Sequence, residues 1–167
     1  MAIYYGDGSN SNAGRLIKVH KGQYASTTSS TATNITMFDV NITPQAAGNW
    51  FYITHRIAAS HTPNISLYTQ YLIDNQYVGG RSGAGSDSSV SQSIYLEGYG
   101  SNHTSNAAYR MYIGDYLHIQ SSASAFNFKV YTHLQGGTQY INYSYSYDDS
   151  ARGKPMSTYT IMEMEPS

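Results

Sequence analysis

The chain of 167 residues contains no cysteine, and only 11% of its residues are charged. The lack of cysteine excludes disulfides and cysteine-ligated zinc sites. Ordinary soluble domains carry about 25% Asp, Glu, Lys and Arg, so Ser, Thr, Asn, Gln and Gly must solvate this surface instead. Such a surface is typical of extracellular or particle-bound proteins whose subunits pack closely together.

The sequence also lacks a basic field and a long apolar run. Its net charge is −1, so nothing in the composition attracts nucleic acid. No apolar run approaches the ~20 residues of a membrane span, and no basic head followed by an apolar stretch opens the chain. We therefore expect one soluble domain over residues 1–167, with no signal peptide, no membrane insertion and no nucleic-acid partner.

Tyrosine is the abundant residue, with 18 copies. Rings at alternate positions fit a pleated sheet, where they cover apolar area while their hydroxyl groups stay in water. This pattern predicts a surface that contacts another subunit or a ligand. The candidate contact residues are Tyr4, Tyr5, Trp50, Tyr52, Tyr143, Tyr145 and Tyr147.

Alternating apolar and polar residues predict about nine or ten short strands. Phe126, Phe128 and Val130 form the clearest alternation and are predicted to face the core. Another strand over residues 50–58 should place one set of side chains inside and the other set outside. The inner set is Phe51, Ile53 and Ile57, and the outer set is Tyr52, Thr54 and Arg56.

Gly, Asn, Asp and Ser clusters separate these strands. Asp74-Asn75 predicts a two-residue hairpin turn, and Gly114-Asp115 predicts a second turn. Residues 79–93 read as a long loop, and residues 25–34 as a loop or an edge strand. Residues 1–19 are either an N-terminal arm or the first strand. The sequence therefore predicts an all-β fold, a single antiparallel β-sandwich or a barrel.

No constellation of side chains predicts catalysis, a cofactor or a metal. The histidines share no metal-ligand spacing and are interpreted as surface or cross-strand residues, although His55 and His61 could meet across a turn. The ten acids are scattered, and we interpret them as turn and solvating residues. The aromatic residues could stack on sugars or pack between subunits, and both readings stay open. The six histidines are His20, His55, His61, His103, His118 and His133.

Several short motifs together resemble a family, the short structural proteins of marine tailed phages. The motifs are GDGSN at residues 6–10, GRLIKV at 14–19, DVNITP at 39–44, YINYS at 140–144 and STYTIMEM at 157–164. They occur in the family's order and touch both ends and the middle of the chain. The tyrosine content and the aromatic residues after the DVNITP motif depart from the family pattern.

This resemblance implies a non-enzymatic virion protein, assembled in the host cytoplasm, with a jelly-roll-like β-sandwich and a homotrimeric state. The implied partners are further copies of the chain and other capsid or tail proteins. The sequence has no coiled-coil or β-helical shaft, which favours a small capsid-decoration or knob protein. The alternative is a carbohydrate-binding, receptor-recognition module of a tail fibre, whose partner would be a glycan of the host surface.

Overall fold

The computed structural model describes residues 3–4, 10–11, 14–61, 67–78, 93–95, 110–134, 136–142 and 156–165. The regular structure of these residues consists of strands. In chain order the strands are β1 (Ile3–Tyr4), β2 (Asn10–Ser11), β3 (Arg15–Tyr24), β4 (Thr28–Ser30), β5 (Asn34–Ile42), β6 (Trp50–His61), β7 (Leu67–Ile73), β8 (Gln76–Val78), β9 (Ser93–Tyr95), β10 (Arg110–Ile119), β11 (Phe126–Leu134), β12 (Gln139–Ile141) and β13 (Ser157–Glu165).

Two antiparallel sheets form the sandwich. The larger sheet has the strand order β3-β13-β6-β10-β9, and β12 joins it by pairing with β6 and with the short strand β4. The smaller sheet has the order β5-β11-β7-β8. Strands β1 and β2 form a separate two-stranded pair. The long strand β6 lies inside the larger sheet, with β13 and β12 along one edge and β10 along the other.

The order of the principal strands is that of a jelly roll. Eight strands, β3, β5, β6, β7, β8, β10, β11 and β13, can be counted from first to eighth along the chain. The larger sheet then contains the first, eighth, third and sixth strands side by side, and the smaller sheet the second, seventh, fourth and fifth. This is a double-sheet jelly roll. The antiparallel β-sandwich predicted from the sequence is confirmed.

The core lies between the two sheets and follows the predicted alternation. Phe126, Phe128 and Val130 of β11 are buried, as predicted. Phe51 of β6 meets Phe126 edge to face, with ring centroids 5.0 Å apart, so the two sheets interlock through aromatic rings. Ile53 and Ile57 are also buried, while Tyr52, Thr54 and Arg56 lie on the other side of β6, as predicted.

The hairpin turn at Asp74-Asn75 is confirmed. Both residues have positive φ, 49° and 64°, as a type I′ turn requires. The Oδ1 atom of Asp74 accepts a hydrogen bond of 2.7 Å from the backbone N–H of Asn127, so the turn is also tied to the neighbouring strand.

The turn predicted at Gly114-Asp115 is wrong. Strand β10 runs through both residues without interruption, because it pairs with β6 along its whole length, from Arg110 opposite Ala59 to Ile119 opposite Trp50. The hydrogen-bond ladder with a long partner strand overrides a local Gly-Asp signal.

Three further predictions concern the less regular parts of the chain. Within residues 25–34, the short strand β4 pairs with β12, as the edge-strand reading expects. Residues 1–19 were predicted as an N-terminal arm or the first strand, and residues 15–19 lie in β3 of the larger sheet. Most of the predicted loop, residues 79–92, lies outside the described residues.

Candidate interaction surface

The side of the larger sheet that faces away from the smaller sheet carries a block of apolar residues. Directly opposed residues on adjacent antiparallel strands point to the same face, so the strand register defines rows across the sheet. One row runs across β3, β13, β6 and β10, and the row beside it crosses the same four strands. The first row contains Leu16, Met164, Trp50 and Ile119, and the second contains Val19, Met162, Tyr52 and Leu117.

We call these eight residues the apolar patch. Each strand contributes one column of two residues, and the outer columns, on β3 and β10, are well exposed: Leu16 by 54%, Val19 by 47%, Leu117 by 46% and Ile119 by 56%. Its four central residues are half-buried. Large contiguous apolar areas are rare on monomeric soluble proteins and mark interaction sites. The patch is therefore the candidate interaction surface of the described part of the chain.

The patch exists because β10 turns its aliphatic residues outward. Tyr112 is buried, and the His118 ring packs 4.8 Å from the Phe126 ring in the core. Since side chains alternate across a strand, the even-numbered residues of β10 face the core and the odd-numbered residues face outward. These outward residues include Met111, Ile113, Leu117 and Ile119, and all four are exposed.

The predicted contact residues divide into three groups. Trp50 and Tyr52 lie on β6 at the centre of the apolar patch, so the structure brings them together. Tyr4 belongs to the short strand β1, described only in its backbone. The remaining candidates, Tyr5, Tyr143, Tyr145 and Tyr147, lie outside the described residues.

A polar row with opposite charges at its two ends borders the patch. It contains Lys21 on β3, Thr160 on β13, Thr54 on β6 and Asp115 on β10. Both charged residues are exposed. The Tyr52 hydroxyl donates a 3.4 Å hydrogen bond to Oδ2 of Asp115. Desolvation and then the nearby Asp115 carboxylate raise the pKa of Tyr52, so its hydroxyl stays a donor at neutral pH.

The histidines were predicted to be surface or cross-strand residues, and the surface alternative is wrong for His55. It is 1% exposed and shares the inward phase of Phe51, Ile53 and Ile57. Its Nδ1 atom is hydrogen-bonded to the Tyr71 hydroxyl, and its Nε2 atom lies 3.2 Å from the Thr69 hydroxyl. Burial lowers the pKa of His55 to about 3, so the imidazole is neutral. It also lies on the same strand as His61, not across a turn from it.

Glu163 also departs from the expectation that the acids solvate the surface. It is fully buried on β13. Its Oε1 atom accepts hydrogen bonds of 2.6 Å from the Asn49 side-chain amide and from the backbone N–H of Gln45. The carboxylate therefore holds the segment between β5 and β6 against β13, close to the apolar patch. Its Oε2 atom has no partner among the described residues.

Other features of the described part of the chain give weaker indications of a functional site. A polar depression of about 250 Å³ lies between β6 and β13. No group of His, Asp or Glu residues in the described ranges is arranged to hold a metal ion. The same ranges contain no helix that could cross a membrane. The depression is lined by Thr54, His55, Arg56, Thr158, Tyr159 and Thr160.

No model of a known protein family matches the chain, and no curated protein matches it. Fold and surface define the class of protein: an antiparallel jelly-roll β-sandwich that presents an apolar patch on its larger sheet.

Proposed function

We propose that this chain is a non-enzymatic structural protein of a phage particle, a capsid-decoration or knob protein that assembles as a homotrimer. Its partners would be further copies of itself and other proteins of the capsid or tail. The resemblance of its motifs to short structural proteins of marine tailed phages supports the virion assignment.

The single observation that supports assembly most strongly is the apolar patch. Leu, Ile, Val and Met side chains surround Trp50 and Tyr52 there. Sugar-binding surfaces combine an aromatic ring with several polar groups that bond to hydroxyls. Protein interfaces instead place aromatic and Met side chains in an apolar centre with a polar rim. The patch and its charged border fit the second description.

Mass spectrometry of purified particles tests the virion assignment. Particles from a phage whose genome encodes this chain should contain it in many copies, and it should stay bound through gradient purification. Abundance in the infected cell combined with absence from the purified particles would overturn the proposal.

A carbohydrate-binding role is the second candidate, and one observation favours it. On the outer side of the smaller sheet, the rings of Tyr68 and His133 stack with centroids 4.7 Å apart. The Nδ1 atom of His133 lies 2.7 Å from Oδ1 of Asn34, so a ring and an amide lie together. Such a pair suits a sugar.

Glycan-array binding of the purified protein tests this alternative. The carbohydrate hypothesis predicts that the natural chain binds a glycan, that the Tyr68→Ala variant does not bind it and that the Trp50→Ala variant still does. Binding lost only in the Trp50 variant would instead place a glycan on the apolar patch and contradict its assignment to self-assembly.

A further inference from the structure

We propose that copies of this chain pack their apolar patches around a rotation axis parallel to the strands, with Lys21 of each subunit beside Asp115 of the next. This inference rests on the proposed self-assembly and specifies its geometry: the face that is buried, the direction of the axis and the charge pair between subunits.

The two charges cannot neutralise each other within one subunit. Lys21 and Asp115 lie in the same row, which crosses four strands. Lys21 is on the first of these strands, β3, and Asp115 is on the fourth, β10. Adjacent strands lie about 4.8 Å apart, so roughly 14 Å separates the two backbones. Among the described residues, neither side chain takes part in an ion pair. Each charge is therefore available to a neighbouring molecule.

A rotation about an axis along the strands brings these opposite charges together. Such a rotation keeps every row at its own height along the axis and places the β3 side of one subunit against the β10 side of the next. The positive end of the polar row then meets the negative end of the same row. An axis perpendicular to the strands within the sheet plane would instead bring different rows together and leave the charges unmatched.

The same rotation matches the apolar rows. It places Leu16 of one subunit near Ile119 of the next, and Val19 near Leu117. These residues of β3 and β10 are the most exposed residues of the patch. Trp50 and Tyr52 lie in the inner columns and so face the axis. Burial of these side chains supplies the affinity. The charge pair fixes the rotational register and rejects other arrangements.

Charge reversal tests the pairing. Lys21→Asp and Asp115→Lys each place like charges at every contact, so each should raise the dissociation constant of the assembly by about tenfold or more. Both residues are exposed, so the folded subunit should keep its circular-dichroism spectrum and its melting curve. Gln76→Glu on β8 of the smaller sheet is the control, because it adds a negative charge away from the patch and should leave the dissociation constant unchanged.

The double variant Lys21→Asp/Asp115→Lys decides the inference. The reversed pair attracts only between subunits, so the double variant should assemble nearly as well as the natural chain in sedimentation equilibrium. A double variant as weak as the single ones, or single variants that assemble normally, would overturn the pairing and leave the proposed self-assembly standing. A natural chain that stays monomeric would overturn both.

An equal mixture of the two single variants reports the number of subunits around the axis. In a pair, one chain of each kind satisfies both contacts, so mixing would restore assembly fully. In a ring of three, two chains of one kind must touch, and one contact stays repulsive. The proposed trimer therefore predicts that the mixture assembles less well than the double variant, and equal recovery would contradict the three-fold order.

Discussion

At the scale of single residues, the core of this sandwich encloses a neutral histidine. His55 belongs to β6, and its imidazole is hydrogen-bonded to Tyr71 and Thr69 of β7. Its imidazole stays uncharged because the protonated, charged form would have to lose its hydration in the core. The network gives this buried polar ring partners for both nitrogens, and it fixes how the two sheets meet at that point.

Stability should fall as the pH drops below the ordinary histidine range. The unfolded chain takes up a proton at His55 near pH 6.5, whereas the folded chain resists it until about pH 3. The stabilisation that the neutral His55 provides is therefore complete above pH 6.5 and is lost as the pH falls from 6.5 to about 3. Between about pH 7 and about pH 5 the loss from this residue should be about 2 kcal/mol.

Urea unfolding of the natural chain and of His55→Gln at both pH values checks this. Burial also lowers the pKa of His20, His118 and His133, and these groups remain in both proteins. The difference between the two pH dependences therefore isolates His55. Parallel pH dependences would mean that the buried imidazole does not control acid stability.

At the scale of elements, cross-strand pairs hold the larger sheet in register. The Tyr159 ring of β13 lies over Gly22 of β3, so close that a Cβ atom at residue 22 would overlap the ring. The same ring meets Phe38 of the smaller sheet edge to face, at 4.9 Å. Gly22 thus makes room for an aromatic residue that connects the two sheets.

Gly22→Ala should therefore destabilise the fold, by about 1–3 kcal/mol, because the ring must leave its place. Chemical unfolding measures the loss, and Gln23→Ala on the adjacent exposed position is the control with little expected effect. In a Tyr159→Ala background the Gly22 substitution should cost much less. The same cost in both backgrounds would show that the ring is not the cause.

The alternation of residues predicted the strands, but it identified the buried face only where one phase is clearly more apolar than the other. For β6 and β11 one phase is plainly apolar, and the prediction was right. In β10 the aliphatic phase, such as Leu117, faces outward and the aromatic phase, such as Tyr112, faces inward. Side chains alternate with a period of two whichever set faces the core. Only the pairing of β10 with β6 decides which set is buried. The apolar patch was invisible for this reason.

The buried polar residues were missed for a related reason. His55 lies in phase with buried apolar residues, a signal that was available, but its partners Tyr71 and Thr69 come from a different strand. Glu163 is held by Asn49 and Gln45, more than a hundred positions away. The sequence predicted Trp50 and Tyr52 as contact candidates because the alternation along the strand is a local signal, and the structure places both on the outer side of β6. It could not find the neighbours that complete the patch.

At the scale of the whole molecule, the two outer faces differ in chemistry. The larger sheet presents the apolar patch with a charged border, whereas the smaller sheet presents a polar network. In that network the Asn127 side-chain amide donates to Asp39 and Asn41, and Lys129 bonds to Asn75. One face can thus be buried between subunits while the other stays in water. This division fits the proposed burial of the apolar patch between subunits.

The most direct test of the patch is the solution mass of the natural chain and of a matched pair of variants, by light scattering at micromolar concentration. The natural chain should give about three times 18.4 kDa. The double variant Leu117→Ser/Ile119→Ser, which alters only exposed positions of the patch, should give a folded monomer. Thr36→Ser on β5 should assemble as the natural chain does. A natural chain that is monomeric, or a patch variant that assembles unchanged, would contradict the account.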